Sequence, residues 1–543
     1  MDNFLIVLSK YYFLSILFLL FGRAFFVLVS KKFLKNKSDN ISIHGVSIVS
    51  LYPVIGFFVL GNLLYLFNFF VPLKNNATYF IFLFLLFNFF ERFNLYEIKR
   101  YYKYSLLSIF LLVTSYNINF HYDSGLYHLN NQLWLRESNI VMGFSNIYGP
   151  FGVSSLYEYV SAFLWFDRSY LLLHLLNVLF ISTFYIFIIY GLLNSKVDLI
   201  KSSSFFLLVY SLMDNVGVSG GRNGFISVQS IGKPDVSIAI VFLITSIFIF
   251  TSILKNNYTK EELFIFSIFS LLLFQLKVSG STIAFLYLFY IFNYFKKNRQ
   301  SFTDEVKILS GVLVAFVFWS IKTIMQTGCL IFPLSSTCFE GFKWVNKNYL
   351  KTIEEVTVGF SLSYDFQNSF LNWSQSYFDV STNRIVASNF LLSIISLLVV
   401  RFLFFQKNND RALNLTILSY IVFNILFYLR FGPDVRYLMG IQMLIIAALS
   451  FSSTIKHSIG NFILISAVAV SLFLVPRLDS YKSFNFFTAP NIDVPTAETK
   501  EMFGRLSPVD GDQCWINIDC SASRSSYFID ESQFFKKVYL IEK

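Results

Sequence analysis

Long apolar runs separated by short basic loops constrain this chain more than any other feature of its sequence. About fourteen runs are long enough, or nearly so, to cross the roughly 30 Å hydrocarbon core of a bilayer. Inside that core every backbone N–H and C=O group needs a partner, so such runs must form helices. The chain is 55% hydrophobic and only 14% charged, which leaves too little polar surface for a water-soluble protein of this size. The sequence therefore predicts an all-α polytopic membrane protein.

The predicted spans differ in length. They lie at 5–30, 47–71, 78–90, 104–118, 170–194, 203–213, 235–254, 263–276, 279–294, 308–325, 388–406, 412–429, 437–453 and 460–476. An upright span needs roughly 20 residues, and several of these runs are shorter. Run 203–213 and the pair that flanks Lys277 are therefore candidates for broken or re-entrant helices.

The distribution of cations predicts the orientation. Lys and Arg in short loops remain on the cytoplasmic side, and one alternating set of loops is rich in both residues. This topology explains the net charge of +11, so we expect no nucleic-acid partner. The transmembrane domain is predicted to span 1–476 and an extracytoplasmic tail 477–543. The long segments fall in the cation-poor outer set, at 119–169, 214–234, 326–387 and 477–543.

All four cysteines lie in segments assigned to the outside. We expect Cys329 to pair with Cys338 and Cys514 with Cys520, because disulfides persist in oxidising compartments. A zinc site is the alternative, but the spacings do not match compact zinc motifs. The cysteines thus agree with the orientation that the basic loops predict.

The segment 120–166 contains the residues best suited to chemistry. Apolar side chains at helical spacing predict two amphipathic helices on the outer membrane surface, separated by Pro150-Phe151-Gly152. Asp123 follows the membrane exit, where a carboxylate can act as a general base; alternatively it caps the helix that begins at Ser124. His121 and His128 flank it and could tune its pKa, bind phosphate or serve only as interfacial hydrogen-bonding groups.

Ionisable residues also stand at or inside the apolar runs, where an unpartnered charge is costly. Lys277 interrupts two half-length runs and Asp235 opens another. An anionic headgroup such as a polyprenyl phosphate would need several of these cations, and Arg offers bidentate phosphate contacts. Snorkelling or mutual pairing, for example of Asp434 with Arg436, is the alternative. The charged residues at outer span ends are Arg222, Lys233, Arg430, Asp434 and Arg436.

The glycine-rich stretch 219–224 is not a nucleotide-binding loop, because no Lys-Ser or Lys-Thr follows it. We therefore do not expect ATP to supply the energy. A donor that is already activated and lipid-linked on the outer side fits this absence.

The run YDSGLYHLNNQLWLRESNIVMGFSNIYGPFGVSS (122–155) resembles a group of bacterial membrane proteins with the pattern Tyr-Asp-Ser/Thr-Gly-Leu-Tyr-His-Leu-Gln. This group accompanies surface-polysaccharide genes and is treated as GT-C-like. Further stretches are similar to the same group in the same order, namely KPDVSIAIVFL (233–243), LKVSGSTI (276–283), IKTIMQTGCLIFPL (321–334), FKWVNKNYL (342–350), FGPDVRYLMG (431–440) and GDQCWINIDC (511–520).

The resemblance implies a multi-pass glycosyltransferase of the bacterial cytoplasmic (inner) membrane with a periplasmic tail. Such enzymes move a sugar from a polyprenyl-phosphate carrier to a glycan or lipid-linked acceptor, here in O-antigen or capsule synthesis. Asp123 inherits the catalytic role. No Asp-x-Asp pair stands in the loop, so no metal ligand is assigned, although a divalent cation stays open as a cofactor. The residues assigned to substrate binding are His121, Tyr127, His128, Arg222, Asp235, Lys277, Asp434 and Arg436.

Three other functions compete with this one. A repeat-unit polymerase or ligase would act on polyprenyl-pyrophosphate glycans through outer Arg residues and would need no carboxylate base. A polysaccharide or lipid transporter would show paired halves and charged sites at the membrane midplane; the chain shows no internal repeat, and its polar residues concentrate in outer loops. A purely structural membrane protein is the third alternative.

Overall fold

The computed structural model is predominantly helical, with four short antiparallel pairs of strands. It describes residues 3–31, 41–74, 99, 101–103, 105–106, 108–114, 120–165, 170–216, 231–232, 234–298, 303–360, 362–407, 411–451, 453–455, 484–488, 492–502, 505–523 and 526–541.

Sixteen α-helices occur in these residues. They are α1 (Phe4–Val29), α2 (Tyr52–Asn68), α3 (Ser108–Thr114), α4 (Leu129–Glu137), α5 (Leu156–Phe163), α6 (Leu171–Leu193), α7 (Asp198–Val216), α8 (Asp235–Lys255), α9 (Lys260–Leu276), α10 (Ile283–Lys297), α11 (Thr303–Thr327), α12 (Lys347–Phe360), α13 (Phe370–Asp379), α14 (Ser381–Phe404), α15 (Arg411–Phe431) and α16 (Val435–Ala448). Three of the strand pairs are hairpins, β1 (Ser42–Ile43) with β2 (Val46–Ser47), β5 (Thr499–Met502) with β6 (Arg505–Pro508), and β7 (Tyr527–Asp530) with β8 (Lys537–Leu540). The fourth joins β3 (Phe405–Lys407) to β4 (Ser453–Ile455), which follow α14 and α16.

Eight helical segments of the described chain are long and apolar enough to cross a membrane. They are Phe4–Val29, Ile48–Asn68, Leu171–Leu193, Asp235–Lys255, Val278–Lys297, Thr303–Thr327, Ser381–Phe402 and Asn414–Phe431. Each corresponds to a predicted run, so the multi-pass, all-α architecture is confirmed. The count of fourteen is not: runs 203–213, 263–276 and 437–453 fall in α7, α9 and the shorter α16, and 104–118 overlaps α3. Runs 78–90 and 460–476 lie outside the described residues.

Seven of the eight spans fall into two groups by burial, and Phe4–Val29 lies between them at 56%. Ile48–Asn68, α6 and α8 are interior helices, with 89%, 94% and 94% of their most apolar windows buried. In the spans that contain α10, α11, α14 and α15 the corresponding share is 33%, 28%, 22% and 22%. An apolar surface that large is not stable in water, so these four spans supply the lipid-facing side of the bundle.

The two helices predicted for 120–166 form, but they are enclosed by protein. A single turn of π-helix, Ser124–His128, leads directly into α4, and every residue of α5 is buried. The tail covers this layer: the side-chain amide of Asn130 donates to Asn517 O at 2.5 Å and that of Asn146 to Val538 O at 2.9 Å. Protein therefore covers much of the surface that the sequence assigned to the membrane, and the interfacial position of the two helices stays a prediction.

Both predicted disulfides are present. Cys329 is bonded to Cys338, and Cys514 is bonded to Cys520. The first closes the loop after α11, and the second closes a small loop of the tail that rests on the start of the 120–166 layer.

The helices α1 and α2 cross with their backbones almost in contact. A Cβ atom on Gly22 would lie 2.0 Å from Tyr52 O, and one on Gly56 would lie 1.8 Å from Phe18 O. Small residues allow membrane helices to approach this closely. The crossing therefore depends on the two glycines.

Replacing Gly56 by Leu should destabilise the protein by about 1–3 kcal/mol or more, because the side chain has no space at the crossing. The measurement is thermal unfolding of the purified protein in detergent. Gly311→Leu is the matched control, because nothing lies within 4 Å of a Cβ at that position of α11. Equal unfolding midpoints for the two variants would refute the close crossing.

Candidate functional site

Asp123 lies where the 120–166 layer, which contains α4 and α5, meets the transmembrane helices. The backbone on its N-terminal side is held by Ile231, whose carbonyl accepts from His121 N at 3.1 Å and from the Ser124 hydroxyl. Asp123 Oδ2 lies 3.2 Å from His121 Nδ1 and 3.4 Å from Arg436 Nη1. The carboxylate makes no capping hydrogen bond to the helical turn that follows. Asp123 thus occupies the N-cap position before Ser124, as the cap interpretation placed it, but its side chain does not form the capping bond.

His121 can change its role with its protonation state. Its Nδ1 atom lies 3.2 Å from the backbone N–H of Asp123 and 3.2 Å from the carboxylate of the same residue. A neutral ring with an unprotonated Nδ1 accepts from the amide, whereas a protonated Nδ1 donates to the carboxylate. His121 is thus positioned to regulate the charge around Asp123, as the sequence predicted.

Arg436 connects two carboxylates. Asp434 caps α16 by accepting from Arg436 N at 2.8 Å, and its two oxygens accept from the guanidinium group at 3.0–3.2 Å. The remaining Nη1 donates to Asp123. The predicted pairing of Asp434 with Arg436 is confirmed, and it orients the guanidinium towards Asp123.

Lys277 occupies the predicted break between two helical segments. The helix α9 ends at Leu276, and a 3-10 turn over Val278–Thr282 leads into α10. Lys277 Nζ lies 3.1 Å from Asp235 Oδ1 and 3.8 Å from the ring centre of Tyr437. Asp235 is the first residue of α8, where a negative charge also stabilises the helix dipole.

A narrow pocket joins the two ion-paired groups. Asp235, Arg436 and Tyr437 line its polar end, and Tyr437 contacts the cations of both pairs. Apolar side chains of α8 and the bare backbone of α16 form its other wall; these residues are Ile238, Ala239, Phe242 and Gly440. The pocket thus lies between a charged cluster and buried apolar side chains of α8, and its volume of about 10 Å³ is room for about one water molecule.

Tyr127 is partly buried beside this cluster. Burial and the nearby carboxylates of Asp123, Glu158 and Asp235 raise the pKa of its hydroxyl well above the ordinary value, so the group stays a neutral hydrogen-bond donor. The candidate site therefore brings together Asp123, Tyr127, Asp235, Lys277, Asp434 and Arg436, all of which the sequence had singled out.

His128 belongs to a buried network beneath the site. Its Nδ1 atom contacts Glu158, which also accepts from Gln132 at 2.7 Å, and Gln132 in turn accepts from Trp165. These bonds join α4 to α5. The network accounts for His128 as a structural hydrogen-bonding group, and its role in substrate binding stays a prediction. Arg222, which was also assigned to substrate binding, lies outside the described residues.

The surroundings of Asp123 keep it ionised. Burial raises the pKa of its carboxyl, but the hydrogen bond with His121 and the positive charge of Arg436 outweigh burial and hold this pKa well below its ordinary value. A carboxylate with so low a pKa is a weak base. A ligand that draws Arg436 away would raise the pKa of Asp123 and so make its carboxylate a stronger base.

The tail contributes residues that sequence reasoning left without a role. Trp515 packs on Gly125, where a Cβ would come within 2.7 Å of its ring, and its backbone N–H donates to Gly125 O at 2.9 Å. The Tyr122 hydroxyl donates to Asp512, which lies two residues before Cys514 in the tail. Tyr122 and Gly125 flank Asp123, so the tail forms one side of the site. A Trp inside a short Cys-bounded loop and a Gly two residues after Asp123 were the available signals.

Across the residues that the structure describes, no group of three or more His, Cys, Asp and Glu side chains is placed to hold a metal ion. A divalent cation as cofactor stays an open expectation.

The pairing of Asp123 predicts a specific pH dependence of stability. Because its pKa is lowered in the folded protein, the carboxylate stabilises the fold above its unfolded pKa of about 4, and this contribution disappears as the pH falls through the folded value. Asp123→Asn should therefore cost roughly 1–3 kcal/mol at neutral pH and less below about pH 4. Thermal unfolding of both proteins between neutral and acid pH measures the difference. A cost that stays constant or grows as the pH falls below about 4 would contradict the assignment.

Replacing Gly125 by Val should displace the tail loop, because the added side chain overlaps the ring of Trp515. Limited proteolysis should then cleave the tail several times faster than in the unmodified protein. Gly341→Val is the control, since Gly341 has open space around it. Unchanged cleavage in Gly125→Val would show that Trp515 does not hold the tail.

Comparison with known proteins identifies a family but assigns no activity. No curated protein and no solved structure matches the chain. Residues 4–444 match the family described as "Domain of unknown function (DUF8201)". The matched region contains every residue of the candidate site except those of the tail. The chain therefore belongs to the DUF8201 family.

Proposed function

We propose that this protein is a GT-C-type glycosyltransferase of the bacterial cytoplasmic membrane, with about fourteen crossings and a periplasmic active site. It transfers a sugar from a polyprenyl-phosphate-linked donor to a glycan or lipid-linked acceptor during surface-polysaccharide synthesis. One observation supports the proposal above the others: Asp123, Arg436 and Lys277 meet at the ends of apolar helices, beside a pocket with an apolar wall.

The two cations suit a phosphate that arrives attached to a lipid. Arg436 presents a planar guanidinium that can bind two phosphate oxygens, and Lys277 adds a second charge on the other side of Tyr437. The apolar wall formed by buried residues of α8 and α16 lies next to these charges, where it would face the first apolar atoms of the lipid chain.

The charge balance of the site indicates what else the donor needs. Three carboxylates, those of Asp123, Asp235 and Asp434, face two cations, those of Lys277 and Arg436. A phosphate would add further negative charge, so additional positive charge must accompany it. Arg222 and Lys233 precede Asp235 in the sequence and are the protein groups that we propose for this purpose; a divalent cation is the other source.

In the proposed reaction the donor phosphate competes with Asp123 for Arg436. The freed carboxylate becomes a stronger base and takes the proton of the acceptor hydroxyl as that oxygen bonds to the anomeric carbon. The bond between this carbon and the phosphate oxygen breaks, and Arg436 and Lys277 stabilise the charge on the departing lipid phosphate. A single displacement of this kind inverts the anomeric centre.

Asp123→Asn should lower transfer by about 10²–10⁴-fold, because the amide cannot accept the proton. The measurement is mass spectrometry of lipid-linked saccharides in a deletion strain complemented with each variant, where the unmodified acceptor should accumulate. Asp198→Asn, which removes an exposed carboxylate from the first turn of α7, is the control and should complement fully.

Two results would count against the proposal. Full complementation by Asp123→Asn together with failure of Arg436→Gln would favour a polymerase or ligase that needs no base. Accumulation of a completed glycan on the lipid carrier in the deletion strain would favour a transporter.

A further inference from the structure

The short helix α13 is amphipathic, and its apolar face is uncovered. Phe370, Leu371 and Phe378 point away from the protein with 51%, 77% and 43% of their surfaces exposed. The opposite face of the helix is polar and consists of Asn372, Gln375, Ser376 and Asp379. An exposed apolar face of this kind indicates a surface that is covered in the working protein.

The flank of α13 that faces the protein is firmly attached. Trp373 donates from its indole N–H to Leu362 O at 2.8 Å, and the buried Tyr377 donates from its hydroxyl to Pro433 O at 2.7 Å. The rings of these two residues stack with their centres 5.2 Å apart. The apolar residues on the exposed face are therefore held in a fixed orientation by their neighbours.

The attachments fix the level of α13 relative to the membrane. A single residue, Val380, separates α13 from Ser381, where the span in α14 begins. In addition, Tyr364 N donates to Leu429 O near the end of the span in α15. The exposed side chains of Phe366, Val380 and Phe431 extend the apolar patch between these elements. The patch thus lies where two lipid-facing spans leave the hydrocarbon core.

We propose that α13 is an interfacial membrane anchor, which inserts Phe370, Leu371 and Phe378 into the leaflet on the side of the candidate site. The segment 362–380 contains Asp365 and Asp379 and no Lys or Arg. Attraction to anionic headgroups therefore does not drive the insertion. Burial of apolar surface does, and the insertion is independent of salt and of anionic lipid.

The anchor also adjoins the candidate site. Tyr377 bonds to Pro433, and Pro433 immediately precedes Asp434, which orients Arg436. The depth at which α13 inserts thereby fixes the position of the Arg436 guanidinium relative to the membrane surface. The proposal concerns membrane contact alone and stands whether or not the protein is a glycosyltransferase.

Single cysteines at adjacent positions test the anchor, because all four native cysteines are held in disulfides. Leu371→Cys places a nitroxide label on the apolar face, and Asn372→Cys places one on the polar face as the matched control. Each labelled protein is reconstituted as one copy per phosphatidylcholine nanodisc. Collision of the label with dissolved oxygen and with a water-soluble nickel chelate is measured by power-saturation electron paramagnetic resonance.

The label at 371 should collide several-fold more with oxygen than with the nickel chelate, whereas the label at 372 should show the reverse. Adding phosphatidylglycerol or 0.5 M salt should leave both ratios unchanged, as expected for apolar insertion (a Debye length of roughly 4 Å at that salt). Phe378→Cys provides a second position on the same face if Leu371→Cys gives too little protein. Strong collision with nickel at 371 or 378 would overturn the proposal. Protection from both reagents there would also overturn it, because protein would then cover the face.

Discussion

The ion pairs of Arg436 and Lys277 are the interactions on which the rest of this structure depends. A charge at the edge of a membrane is tolerated only when it is paired or hydrated, and here each cation meets a carboxylate from a distant part of the chain. Asp123 and Arg436 are separated by most of the transmembrane domain in sequence. Their contact therefore requires the outer layer, α8, the break at Lys277 and the start of α16 to assemble at one level.

This assembly explains the layered construction of the outer side. The helices α4 and α5 pack against each other inside the protein, because polar residues such as Gln132 and Glu158 bond to one another there. The tail packs on this helical layer and buries it further. The membrane contact that the sequence assigned to these helices belongs instead, in our proposal, to α13, whose exposed face has no such cover in the described structure.

Much of the fold and of the candidate site could be predicted from individual residues. What could not be predicted has physical reasons. Apolar length identified the eight spans, because hydrocarbon thickness imposes it. The cost of a charge in an apolar run identified Asp235, Lys277 and Arg436, which proved to be neighbours. Burial of the 120–166 helices could not be predicted, since amphipathic helices look alike whether lipid or protein covers them. Tyr437 was missed because an aromatic residue in so aromatic a chain carries no signal of its own.

The contact between Trp515 and Gly125 has a consequence for biogenesis. Residues 512–520 lie almost 400 positions after Asp123, so a ribosome makes them long after the 120–166 layer, and their loop is bounded by a disulfide. The cluster around Asp123 therefore lacks this cover until residues 512–520 have been translated and have docked. A chain that stops before Cys514 would leave the cluster open on that side.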